Sequence, residues 1–241
     1  MLKAIFFDMD ETLCDTSYSN RKASEALTES IERHYPMMDS NLFVQRYTDG
    51  FYKRLHADYP ELLTLLNDEL EYRTHLIILI AREQDVLISK EEALALQVTF
   101  DQSRMDHFDF FAGVEDKLVA LREKYTLVVI TNGPGFSQHP KLKAVAMSQY
   151  ADHIIVGGDE PEEKPAQSIF TKALNLAKVQ ASEVIHIGDS YECDIIGAAN
   201  SDIASVWVSY QAETTSSLAN YTIDHPDEMF AVIEQHSQSI N

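Results

Sequence analysis

Aspartates 8 and 10 stand directly behind a short apolar run, Ala4-Ile5-Phe6-Phe7, in the stretch Asp8-Met9-Asp10-Glu11-Thr12. An apolar run of this length reads as a buried strand, and a buried strand does not tolerate unpaired carboxylates. The two acids are therefore expected just past the strand's C-terminal end, where open α/β sheets bind their ligands. Carboxylates at i and i+2 on a rigid strand end can supply a cation site and a nucleophile at one point. Taken by itself, the stretch has an alternative as an acidic turn capping a helix that begins near Thr16.

Three later stretches carry polar residues of the same kind, two of them directly behind an apolar run. Thr131-Asn132-Gly133 closes a predicted strand over 126–130. A hydroxyl and an amide there can hold a phosphoryl oxygen, although the triplet is also an ordinary turn signature. Lys164 opens a predicted helix over 165–177, a place the helix dipole disfavours for a cation. It either balances Asp159, Glu160, Glu162 and Glu163 in a solvated loop or acts as a fixed charge among aspartates and a bound phosphate. Gly188-Asp189-Ser190 follows a predicted strand over 184–187, with Asp194 five residues beyond Asp189. In a parallel sheet Asp189 would stand beside Asp8, and carboxylates converging there repel unless a divalent cation lies between them. Oxygen-only ligands with open positions favour magnesium. A helix N-cap is the simpler use of Asp189 or Ser190.

The elements needed to position these residues are legible in outline. From about Phe108 onward, predicted helices over 116–124, 165–177 and 192–199 alternate with strands over 126–130, 153–156, 184–187 and 203–208. That alternation indicates βαβ units and a parallel sheet. Residues 17–107 show apolar spacing of helical type instead, as in Leu76, Ile77, Ile80 and Ala81. They read as a helical insert between the first strand and the rest of the sheet. The net charge of −20, from 39 acids against 19 Lys and Arg, excludes nucleic acid and anionic membranes as natural partners. It also requires an anionic substrate to find local cations or a metal. Two distant cysteines, Cys14 and Cys193, and an N-terminal apolar run broken at Asp8 imply neither a disulfide framework nor a signal peptide. A soluble cytoplasmic protein is expected.

In order and spacing, Asp8-x-Asp10-x-Thr12, Thr131-Asn132-Gly133, Lys164-Pro165 and Gly188-Asp189-Ser190 with Asp194 resemble the four motifs of the haloacid dehalogenase superfamily. The resemblance covers residues 1–15 and about 108–210. It implies an α/β fold with a Rossmann-like parallel-sheet core (1–16 and 108–241) and an inserted all-helical cap (17–107). It further implies that Asp8 is the nucleophile, forming a phosphoaspartyl intermediate, and that Asp10 is the general acid and base. Thr131, Asn132 and Lys164 would hold the phosphoryl group. Asp8, Asp189 and the backbone carbonyl of Asp10 would hold Mg²⁺, with Asp194 behind them, paired with Lys164.

Asp10 favours a phosphate ester over the dehalogenases, which resemble this pattern without an aspartate there. Lys22 and Lys53 carry no mark of the desolvated lysine that phosphonate-cleaving relatives use. Two stretches, 156–170 and Glu71-Tyr72-Arg73-Thr74-His75, resemble the N-acylneuraminate-9-phosphatase branch. Arg73 would there offer its planar fork to a substrate carboxylate or phosphate, or else pair at the surface with an acid of its own helix. Asn200-Ser201-Asp202 departs from the usual small Ala-Gly pair and is expected to alter a loop. The expected activity is magnesium-dependent hydrolysis of a small phosphorylated metabolite, such as a sialic acid 9-phosphate. Nucleotide or flavin mononucleotide phosphatase is the alternative, and a non-catalytic phosphate-binding regulator is the alternative of another class.

Overall fold

The computed structural model describes residues 1–55, 57–210 and 217–239. In chain order the elements are β1 (Ala4–Phe7), α1 (Thr16–His34), α2 (Ser40–Phe51), α3 (Glu69–Glu83), α4 (Lys90–Asp106) and α5 (Val114–Arg122). There follow β2 (Thr126–Thr131), α6 (Gly135–Ala144), β3 (His153–Val156), α7 (Gln167–Ala177), β4 (Val184–Gly188), α8 (Ile196–Asn200), β5 (Ala204–Val208), β6 (Tyr221–Ile223) and α9 (Met229–Ser239). The chain divides into two compact units, Met1–Ser17 with Phe108–Asn241, and Tyr18–His107.

The first unit is built on a six-stranded sheet in the order β3-β2-β1-β4-β5-β6, with every neighbouring pair parallel. All four residues of β1 are buried, as expected of a central strand covered by helices on both faces. Phe6, Val128, Ile130, Ile155, Ile169 and Phe170 form part of the apolar layer between sheet and helix α7. Register places the motifs. Phe7 pairs with Val129 of β2 and Ile187 of β4. Asp8, Thr131 and Asp189 therefore emerge at the C-terminal edge of three adjacent strands.

Tyr18–His107 is helical, as its apolar spacing predicts, with its own core of Leu27, Phe43, Tyr47, Leu62, Tyr72, Ile77 and Phe100 among others. Asp39, Asp68 and Ser89 cap α2, α3 and α4, and Ser89 forms a reciprocal capping box with Glu92. No helix among the described residues is long and apolar enough to cross a membrane.

Several boundaries differ from the sequence expectation. The helix expected from Pro165 begins at Gln167. Residues 163–166 form a turn instead, closed by the Ala166 amide on the Glu163 carbonyl at 2.9 Å and held at Lys164 by Asn132. The helix expected over 192–199 is a π-helical turn, Tyr191–Ile195, followed by the short α8. Asp202 takes a left-handed φ of 57° at the end of that segment, a conformation that Asp tolerates better than most residues. Helix α6, strand β6 and helix α9 were not expected.

Candidate active site

Three carboxylates meet around one ammonium at the edge where β1 and β4 end. Asp8 follows β1, its amide donating to the Ile187 carbonyl at 2.8 Å, and is only 6 % exposed. Lys164 Nζ donates to Asp8 Oδ1 at 2.6 Å and to Asp194 Oδ1 at 2.7 Å. The first turn after Ser190 carries Asp194 back beneath β4. There Asp194 Oδ2 accepts the Ser190 amide at 3.1 Å, and Oδ1 lies 2.9 Å from His186 Nε2. Gly188 makes this return possible, because a Cβ there would lie 2.2 Å from Asp194 Cγ. Asp189 is held from behind by Trp207, whose indole N–H donates to the Asp189 carbonyl at 2.9 Å.

The electrostatics are uneven. Burial raises the Asp8 carboxyl well above the usual carboxylate range; Lys164 opposes this, while Asp194, Asp189 and Asp10 add repulsion. Burial, with Asp194 adding repulsion, pushes Asp189 up to about 7. At Asp194 burial also acts upward, but Lys164 and His186 prevail and hold it at about 2. Burial would lower the Lys164 ammonium, yet Asp194 and Asp8 keep it above its ordinary value.

One carboxylate oxygen from each of Asp8, Asp189 and Asp194 lies within 4.8 Å of the others. One ammonium cannot neutralise three acids at that spacing, whereas a hard divalent cation suits an all-oxygen donor set with room for water and phosphate. The residues therefore fit magnesium.

Thr131 ends β2, buried, and its hydroxyl finds no partner among the described residues. A buried hydroxyl left unpaired is costly, and this one, at the strand end beside Asp8, is open to a further hydrogen bond. The side chain of Asn132, expected to help hold the phosphoryl group, lies on the Lys164 backbone. Its Nδ2 donates to the Lys164 carbonyl at 2.7 Å and its Oδ1 accepts the Lys164 amide at 2.9 Å. The amide side chain thus fastens the loop that aims Lys164. Gly133, with φ of 105°, turns the chain where Gln138 Nε2 donates to the Asn132 carbonyl at 2.8 Å.

Asp10 stands outside the three-carboxylate group. Lys141 of α6 donates to its Oδ1 at 2.8 Å and Oδ2 at 2.9 Å, and the Thr16 hydroxyl donates to Oδ1. Sequence reasoning missed Lys141, and also the roles of His186, Gln138 and Trp207. Nothing in the spacing of Lys141 marks it, and Gly133-Pro134-Gly135 with Pro140 disguises the helix that carries it. The usable signal was scarcity: in a chain with 39 acids, a lysine close behind a motif is worth testing as a counter-charge.

Within the helical unit, Arg73, expected to meet a substrate anion or else to pair at the surface with an acid of its own helix, pairs instead with an acid of another helix. It is buried, with Nη1 and Nη2 donating to Asp101 of α4 at 3.0 and 2.7 Å and Nε donating to the Tyr47 hydroxyl at 2.9 Å. Its guanidinium also lies 4.9 Å from the Phe51 ring centroid. Lys53 departs from expectation too. It is half-buried over the Tyr72 ring and paired with Glu69 at 2.7 Å, and burial lowers its pKa.

A six-stranded parallel sheet with acids gathered at the C-terminal ends of its inner strands defines an α/β protein with a ligand site at that edge, and the comparisons with known proteins specify its family. The haloacid dehalogenase-like hydrolases match residues 2–202, and the chain belongs to that family of enzymes. It is 28 % identical over 209 residues to N-acylneuraminate-9-phosphatase of Homo sapiens, covering 86 % of this chain and 82 % of the relative. It is equally 28 % identical over 211 residues to glyceraldehyde 3-phosphate phosphatase of Pyrococcus abyssi, covering 87 % and 82 %. Among solved structures, YfnB of Bacillus subtilis, assigned as a HAD-hydrolase and bound to magnesium, superposes with a TM-score of 0.69 at 18 % identity. That match covers 96 % of this chain and 98 % of YfnB, a likeness of fold.

Proposed function

We propose that the protein is a magnesium-dependent phosphomonoester hydrolase acting through a phosphoaspartyl intermediate on Asp8. The observation that carries this reading is Lys164, whose ammonium sits on Asp8 Oδ1 and Asp194 Oδ1 in a site still short of positive charge. Asp8, Asp189 and the Asp10 carbonyl would hold the Mg²⁺, with Asp194 adjoining. Bound there, the ion would offset the carboxylates and the charge of the transferring phosphoryl group.

In the first step an Asp8 oxygen attacks phosphorus and the bond to the leaving oxygen breaks, Asp10 giving that oxygen its proton. In the second, water loses a proton to Asp10 and attacks phosphorus. The Asp8–phosphorus bond breaks, inorganic phosphate departs and Asp10 is again protonated. Thr131 Oγ1 is available to a phosphoryl oxygen, and Lys164 supplies a fixed positive charge. Since phosphoryl transfer needs mainly alignment and charge stabilisation, these groups suffice.

The substrate class is a small phosphorylated metabolite. A sialic acid 9-phosphate is the first candidate, from the human relative; glyceraldehyde 3-phosphate is the second, from the Pyrococcus abyssi relative of equal identity. The helical unit 18–107 would act as a cap and carry the selection between them. Purified protein should hydrolyse an aryl phosphate with magnesium and lose activity to a chelator. A panel of sialic acid 9-phosphate, glyceraldehyde 3-phosphate, nucleotides and flavin mononucleotide should rank one by kcat/KM. Tight phosphate binding without hydrolysis across that panel would replace the enzyme mechanism by a phosphate-sensing role.

A further inference from the structure

We infer that Lys141 is the positioning residue of Asp10, holding the acid–base carboxylate apart from the three carboxylates that surround Lys164. The inference rests on the acid–base role proposed for Asp10. Lys141 lies on α6, its side chain only 4 % exposed, while that of Asp10 is 25 % exposed. Sinking an ammonium to that depth costs desolvation, which is offset when it meets an opposite charge with good geometry. Lys141 reaches both oxygens of one carboxylate, at 2.8 and 2.9 Å. The Phe108 ring, 5.6 Å from the ammonium, closes an apolar side of the pair.

Lys141 and Thr16 hold Asp10 differently. Lys141 spans both oxygens and sets the direction of the carboxylate; the Thr16 hydroxyl adds a bond to Oδ1 alone. The consequence is electrostatic as well as geometric. Without a local cation, Asp10 would be a further uncompensated acid beside Asp8, where it already adds repulsion. With Lys141 in place, the acids divide into two groups, each with its own lysine.

Helix α6 is suited to this task. Gln138 and Lys141 are three residues apart and share a helix face. Gln138 holds the Asn132 carbonyl behind β2, while Lys141 holds Asp10 behind β1. One helix thus braces two of the loops from which the site is assembled.

A purely structural ion pair and a positioning residue predict different kinetics. Protonation of the leaving group matters for phenyl phosphate and hardly for 2,4-dinitrophenyl phosphate, whose phenolate leaves readily. Lys141→Met is expected to lower kcat/KM for phenyl phosphate by about a hundredfold, with a loss about tenfold smaller for the dinitrophenyl ester. Asp10→Asn should show the same selectivity. The double variant should be no worse than Asp10→Asn within about twofold, because residues that act as a unit do not add. Lys141→Arg should recover part of the phenyl phosphate rate. If the methionine variant melts below assay temperature, Lys141→Gln carries the same measurements.

Equal losses on both esters, with effects that add to those of Asp10→Asn, would make Lys141 a stability residue and overturn the inference. If Asp10→Asn itself shows no leaving-group selectivity, the acid–base role of Asp10 falls and the inference falls with it. The first result leaves the proposed mechanism standing; the second does not.

Discussion

Both units bury cations, but they balance them differently. In the helical unit the two buried arginines, Arg73 and Arg104, have polar partners within that unit. Arg73 takes both oxygens of Asp101 and the Tyr47 hydroxyl, and Arg104 Nε donates to Asn20 Oδ1 at 2.7 Å beside the same Phe51 ring. In the sheet unit, Lys164 is shared between two acids with a third close by. A balanced pair is complete as it stands, and removing one partner mainly costs stability. An unbalanced cluster is complete only with something added. The contrast teaches that the chain keeps its electrostatic strain at the strand ends, where a charge-bearing ligand can relieve it.

The largest expected effect strikes the unbalanced side. Asp8→Asn should reduce kcat by about a thousandfold or more if the proposed covalent step runs through that carboxylate, and circular dichroism should show the fold unchanged. Substantial turnover in that variant would falsify the phosphoaspartyl route and with it the functional meaning of the imbalance.

Metal titration sharpens the contrast next. Magnesium at a hundred times its Kd should stabilise the sheet unit by about 2.7 kcal/mol by mass action. Differential scanning calorimetry should show the shift in the natural protein and not in Asp189→Asn. A shift that persists in the Asn variant would put the ion elsewhere.

Arg73 tests the balanced side. Its bidentate pair is buried at the arginine, while the Asp101 side chain is 41 % exposed, so solvent can take up part of the loss. Arg73→Ala should therefore cost about 1–3 kcal/mol of stability. It should lower kcat/KM by similar factors for an aryl phosphate and for the preferred metabolite. A KM raised about ten- to a hundredfold for the metabolite alone would show that Arg73 exchanges Asp101 for substrate, the loss of one charged hydrogen bond.

The smallest effect belongs to Trp207. Trp207→Phe keeps an aromatic ring, though a smaller one, and removes the donor to the Asp189 carbonyl, a bond worth about 1 kcal/mol. It should weaken the apparent magnesium affinity a few-fold, as read from activity against magnesium concentration, without changing the limiting rate. An unchanged magnesium dependence would mean that the Asp189 loop holds its place without the indole.

Much of the sheet unit was legible because its signals are local. Ala4–Phe7, Thr126–Thr131 and Val184–Gly188 are apolar runs that stop at polar residues, and a buried strand has to stop there. Helix α6 was not legible. Gly133-Pro134 before it and Gly135 and Pro140 within it argue against a helix, and only its packing and the polar bonds of Gln138 and Lys141 account for it. Strand β6 is three residues long, too short to announce itself, and exists through pairing with β5.

By itself, then, the sequence determined the family, the parallel α/β core, the helical character of 18–107 and which acids end which strands. These follow from runs and spacings that act within a few residues of each other. Only the tertiary structure decided how the charges are shared: Asn132 fastens Lys164, Lys141 faces Asp10, and Arg73 is spent on Asp101. Those pairings join residues 28 to 131 positions apart. An ammonium has no preference among carboxylates in a linear chain; which one it meets is set when the strands pair and the helices pack over them.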